Sequence, residues 1–101
     1  MDDGAESAAV RRALAGVYPN PLQSATTVRF DLGAEARVSV EVYDVLGRRV
    51  LQTAPESVAA GAARELTLDA SALPSGAYFY RLTAEAASDT LVESGRLTVV
   101  R

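Results

Sequence analysis

The sequence predicts an all-β domain, an antiparallel sandwich of six or seven short strands. Three observations predict it. Apolar residues recur at every second position in successive short runs, Val28-Phe30-Leu32 and Val38-Val40-Val42 being the clearest. Gly, Pro, Asp and Ser fall between the runs, where turns need them. No helical period separates one strand from the next, so parallel βαβ units are not expected. The 101 residues suit one domain, and a chain of that size buries roughly two-thirds of its unfolded surface. Apolar residues make up 49% of it, but many are alanine, so the large core side chains are few.

Residues 1–16 are rich in alanine and charge and are expected to be a linker or tail; Glu6 to Leu14 could form a short helix stopped at Gly16. Tyr18-Pro19-Asn20-Pro21 carries two prolines, each of which pushes its predecessor toward extended geometry and lacks an N–H, so this is an edge segment or a lead-in loop. Thr27 to Leu32 alternates as a strand, and Gly33-Ala34 turns the chain. Arg37 to Tyr43 and Arg48 to Gln52 form a hairpin around Asp44-Val45-Leu46-Gly47, where Asp44 can bond the following backbone and Gly47 supplies a left-handed position. Residues 54–62 read as a loop. Arg64 to Asp69 is a strand, and residues 69–76 make a compact corner in which Gly76 is expected at positive φ. Ala77 to Ala84 is a strand, residues 84–88 a turn, and Thr90 to Val100 the last strand, with a bulge expected at Ser94-Gly95.

The expected core is Val28, Phe30, Leu32, Val38, Val40, Val42, Val50, Leu66, Leu68, Tyr78, Tyr80, Leu82, Leu97 and Val99. Tyr78 stands two residues after Gly76, at the start of a strand that follows a tight corner. Its ring can enter the core while its hydroxyl donates to the backbone just upstream, the geometry of a tyrosine corner.

Composition argues against catalysis. The chain has no cysteine and no histidine, and all ten of its basic residues are arginine. Thiolate chemistry, a histidine base and a lysine Schiff base are therefore excluded. The carboxylates are scattered singly, and Asp44 and Asp69 have turn duties. Loop oxygens near Asp44, Asp69 or Asp89 form no D-x-[DN]-x-[DN]-G pattern, so no metal or other cofactor is expected. Net charge is −3, and Arg11-Arg12 and Arg48-Arg49 are isolated pairs, so no nucleic-acid face is expected. No apolar run approaches the ~20 residues of a membrane span. Residues 1–16 lack the apolar stretch of a signal peptide; an exported protein would carry one upstream, which makes this chain the expected piece of a longer one.

Tyr18-Pro19-Asn20-Pro21, Thr27-Val28-Arg29-Phe30, Val42-Tyr43-Asp44-Val45-Leu46-Gly47-Arg48-Arg49-Val50 and Leu73-Pro74-Ser75-Gly76-Ala77-Tyr78-Phe79-Tyr80-Arg81-Leu82 occur in an order and spacing that resembles the type A C-terminal sorting domain of type IX secretion substrates. The resemblance spans residues 17–101, and the ending Leu97-Thr98-Val99-Val100-Arg101, an apolar run closed by a basic residue, is similar to the family's. It implies an immunoglobulin-like antiparallel β-sandwich of about seven strands that labels a larger secreted protein of a Gram-negative, Bacteroidetes-like host. Its implied partners are an outer-membrane translocon and a sortase-like processing protease that cuts ahead of Val17 and often attaches the cargo to lipopolysaccharide. The destination is the cell surface or exterior, reached through the periplasm.

A label needs a stable shape and an accessible edge or tail. Leu97, Thr98, Val99, Val100 and Arg101 are the expected contacts, because an edge strand can be extended by a partner. Tyr18, Pro19, Asn20, Pro21, Asp44, Gly47, Gly76 and Tyr78 are expected to be fold punctuation. The alternative is a retained accessory module, a spacer or weak carbohydrate binder beside a glycoside hydrolase. It has no tryptophan to stack a sugar, and Tyr18, Tyr43 and Phe79 sit on separate segments.

Overall fold

In a computed structural model, residues 16–87 and 89–101 are described. Of the linker expected over residues 1–16, residues 1–15 lie outside them, and Gly16 begins the first strand. The described residues form eight strands: β1 (Gly16–Tyr18), β2 (Ala25–Leu32), β3 (Ala36–Tyr43), β4 (Arg49–Gln52), β5 (Glu56–Val58), β6 (Gly61–Asp69), β7 (Gly76–Ala86) and β8 (Thr90–Val99). All strand pairs are antiparallel, in two sheets ordered β1-β2-β6 and β4-β3-β7-β8.

The inward faces of the two sheets share one core. Val28, Phe30, Leu32, Leu66 and Leu68 meet Val38, Val40, Val42, Tyr78, Tyr80, Leu82, Leu97 and Val99. Strict alternation put these residues inward, since side chains on a strand change face at each residue. The order β1-β2-β6 against β4-β3-β7-β8, with a tyrosine closing the corner from β6 into β7, is the immunoglobulin-like arrangement.

Four expectations are corrected. The expected 54–62 loop contains β5 and the start of β6. β4 and β5 lie end to end on the same edge of β3: Gln52 pairs with Glu41 and Glu56 with Val38. Thr53 bridges the gap, its N–H donating to the Val40 carbonyl and its hydroxyl accepting from the Val40 N–H, both at 2.9 Å. One threonine thereby keeps the ladder satisfied where Ala54-Pro55 interrupts it.

Val50 is not in the core. A register shift between Val42 and Tyr43 turns Leu51 inward and leaves Val50 37% exposed. A one-residue slip reverses every side chain beyond it. Gly95 marks no bulge, because β7 and β8 pair without interruption from Glu85↔Thr90 to Gly76↔Val99. A Cβ at Gly95 would lie 2.5 Å from the Tyr80 hydroxyl oxygen, so the glycine makes room for the ring directly opposite. Finally, the core also includes Ala36 and Ala84, which extend the inward faces of β3 and β7, and Leu22, Ala70 and Leu73, which lie outside the strands where alternation does not reach.

Candidate recognition surface

The antiparallel order carries the turn and corner motifs of the sequence to one end of the sandwich, while Thr27 to Phe30 runs along β2. β3 ends there at Tyr43, β6 at Asp69 and β8 at Val99, while β2 begins there at Ala25 and β7 at Gly76. Registers Ala25↔Asp69, Tyr43↔Phe79 and Gly76↔Val99 fix the level. The connections at this pole are residues 19–24, 44–48 and 70–75, with the chain leaving through residues 100 and 101.

The hairpin turn is held from within. The Asp44 carboxylate accepts from the N–H groups of Leu46 and Arg48, each at 2.9 Å, and from Arg48 Nε at 2.8 Å. These donors, the Arg48 N–H foremost, hold the Asp44 carboxyl below its ordinary pKa. Gly47 sits at φ +84°, a left-handed position that other residues adopt at a cost. The side chains of Val45 and Leu46 take no part in this bonding, and the two residues stand 67% and 75% exposed.

The β6–β7 corner is built the same way. Asp69 accepts from the Ser71 N–H at 3.0 Å, which is the main reason its carboxyl is also held low. The Leu73 N–H donates to the Ala70 carbonyl at 3.0 Å. The Tyr78 hydroxyl donates to the Pro74 carbonyl at 2.7 Å. Gly76 has φ +157°, the positive value expected for it and one that other residues rarely adopt. Between hairpin and corner runs a groove of about 410 Å³, with Val45, Leu46 and Val50 on one side and Pro74, Ala77 and Tyr78 on the other.

Tyr18 to Leu22 closes the remaining side. Leu22 bridges to Val99, its N–H donating to the Thr98 carbonyl at 2.9 Å and its carbonyl accepting from the Val100 N–H at 2.8 Å. The Asn20 amide copies a strand residue: Oδ1 accepts from the Thr98 N–H at 3.0 Å and Nδ2 donates to the Arg96 carbonyl at 3.1 Å. The edge of β8 is therefore occupied from Arg96 to Val100 by the chain's own segment. That changes what Leu97 to Arg101 can offer. Leu97 and Val99 are core, Thr98 and Val100 are bonded to the covering segment, and only the Val100 side chain presents apolar surface.

Of the seven exposed large apolar side chains among the described residues, Tyr18, Val45, Leu46, Val50 and Val100 belong to this pole. That concentration marks the pole as the candidate surface. Sequence reasoning passed over Val45 and Leu46 as turn residues; two large apolar side chains inside an Asp–Gly turn were the available signal.

A polar cluster on the outer face of β3, β4 and β7 adjoins the pole. Glu41 accepts from Arg81 Nη2 at 2.7 Å, from Arg49 Nη1 at 3.2 Å and from the Tyr43 hydroxyl at 3.0 Å, and the Arg81 bond is the chief reason its carboxyl is held low. Arg81 lies 5.2 Å from the centroid of the Tyr43 ring. Tyr43 and Phe79, distant in sequence, are cross-strand partners here. Among the described residues no group of three or more acidic side chains is close enough to hold a metal, and no helix is long and apolar enough to cross a membrane.

Solved structures share the fold. Dimeric latent PorU from Porphyromonas gingivalis superposes with a TM-score of 0.73 at 24% identity over 87% of this chain, which spans only 9% of that one. CopC from Methylosinus trichosporium OB3b gives 0.59 at 22% identity over 86% of this chain and 92% of its own. The β-glucuronidase of Parabacteroides merdae gives 0.51 at 15% identity, covering 87% of this chain and 13% of the enzyme. No curated protein sequence matches. The model of the secretion system C-terminal sorting domain matches residues 16–92, well over half of the chain. With its turn and corner motifs folded onto one pole of an immunoglobulin-like sandwich, this chain belongs to the secretion system C-terminal sorting domain family, the type IX signal that directs a cargo protein to the cell surface or the exterior.

Proposed function

We propose that residues 17–101 are a non-catalytic label and that its motif pole is what the outer-membrane translocon reads. The residues ahead of β1 serve as the linker in which a sortase-like protease separates label from cargo. The observation that carries this reading is the exposed apolar pair Val45-Leu46 facing the corner across a groove. The turn is held by the Asp44 carboxylate and by backbone bonds between Asp44, Gly47 and Arg48, so the side chains of the pair have no folding duty that would explain their type. Solvent-exposed Val and Leu at a turn gain nothing from water, whereas against a partner they bury apolar area worth roughly 25 cal/mol per Å².

The reading moves the expected contact from the edge of β8 to the end of the sandwich. Of Leu97 to Arg101, only the Val100 side chain joins the exposed apolar surface, and the covered β8 edge is a structural partner of Asn20 and Leu22.

The test is export of a reporter fused ahead of residue 1 in a type IX-competent host. Val45→Asp with Leu46→Asp should leave the domain's stability within about 0.5 kcal/mol, as for other surface changes. It should hold the reporter in the periplasm. Normal surface delivery by a stable double variant would overturn the reading.

A further inference from the structure

The side chain of Arg101 turns back from the end of β8 into the β6–β7 corner. Its Nη2 donates to the carbonyls of Ala70 at 2.9 Å, Ser71, and Leu73 at 2.6 Å; its Nε donates to Leu73 at 3.1 Å. Its backbone N–H donates to the Ser75 hydroxyl at 2.9 Å. Together with the Tyr78 bond to Pro74, these donors satisfy a run of carbonyls that no strand pairs with. A cluster of carbonyl oxygens is a site of negative potential, and a guanidinium, always charged and rigidly forked, is the side chain best suited to it. The same guanidinium helps hold the Asp69 carboxyl ionised.

From this geometry we infer that Arg101 is a positioning residue acting in cis: its charge is read by the corner, and through the corner it sets one wall of the groove. This rests on the reading that the motif pole is what the export machinery recognises. A partner that read the charge of Arg101 directly would have to compete with three carbonyls already bonded to it. Arg101 thus works as an internal clasp between β8 and the corner. Lysine could reach the same carbonyls with one ammonium, but it lacks the second, separately placed donor that Nε supplies.

Four variants test the clasp, each measured for amide exchange in the purified 101-residue chain and for export of the fused reporter. Arg101→Ala and Arg101→Gln should speed exchange of the Leu73 amide by about tenfold or more, the scale of a lost charged hydrogen bond. Both should reduce export. Arg101→Lys should fall between them and wild type in both assays. Ser75→Ala keeps the charge but removes the acceptor of the Arg101 N–H, and it should move exchange and export in the same direction as Arg101→Ala. Wild-type exchange at Leu73 in Arg101→Ala, with export lost, would overturn the clasp and make the charge a direct contact. Full export by Arg101→Lys with a loosened corner would do the same. Normal export by the Val45→Asp, Leu46→Asp variant overturns the underlying reading instead, so the two failures are distinguishable.

Discussion

Replacing Tyr78 by Phe removes one oxygen atom and leaves the ring in the core. The lost atom donates at 2.7 Å to the Pro74 carbonyl, in a partly buried site. A neutral hydrogen bond contributes about 0.5–1.5 kcal/mol net, and a carbonyl left without its donor adds up to about 1–3 kcal/mol when water cannot reach it. Partial burial puts the sum near 1–2 kcal/mol. For a domain of this size each kcal/mol lowers the melting temperature by about 4–8 °C, so a drop of roughly 4–16 °C is expected. Thermal and urea unfolding followed by circular dichroism measure it, since the chain has no tryptophan. The urea midpoint should fall with an unchanged slope, because the variant exposes the same surface on unfolding. A stability equal to wild type within about 0.3 kcal/mol would refute the idea that this hydroxyl secures the corner.

Other outcomes follow from the same geometry. Gly95→Ala should destabilise the domain by about 1–3 kcal/mol, because its Cβ collides with the Tyr80 ring, and adding Tyr80→Leu should recover part of that loss; simple additivity of the two changes would count against the contact. Asn20→Ala should speed exchange of the Thr98 amide by roughly an order of magnitude, while Asn20→Asp, which keeps the acceptor, should preserve it; equal protection in all three would show that Asn20 does not cover the edge. The Asp44 carboxyl is held low in the folded chain, so its contribution is complete above its ordinary pKa of about 3.9 and is lost as pH falls through the lower folded value. Asp44→Asn should therefore flatten the decline in melting temperature below about pH 4, and an acid limb as steep as wild type would contradict that.

Local periodicity made β2, β3, β7 and the 44–47 turn legible, because each element's own residues decide its face and its bend. What escaped was decided between elements. The slip at Val42/Tyr43 that exchanges Val50 for Leu51 depends on how β4 meets β3, and nothing in Arg49 to Gln52 announces it. β5 is three residues long and depends on Thr53 to carry the ladder past Pro55. A glycine inside a strand signals either a bulge or a close approach, and only the register that puts Tyr80 opposite Gly95 chooses between them. The motifs were visible one by one. Their convergence on one pole, and the internal engagement of Arg101, needed the strand order.

That strand order leaves the far end of the sandwich with a different burden. The connections there, residues 33–35 and 59–60 and the turn from β7 into β8, carry none of the signature segments and line neither the groove nor the clasp. If the motif pole is what the export machinery reads, as proposed, the far end should tolerate rewriting. An affinity handle or a fluorophore attached between Gly33 and Glu35 would give an observer a grip on the label in transit while leaving the legible tip untouched.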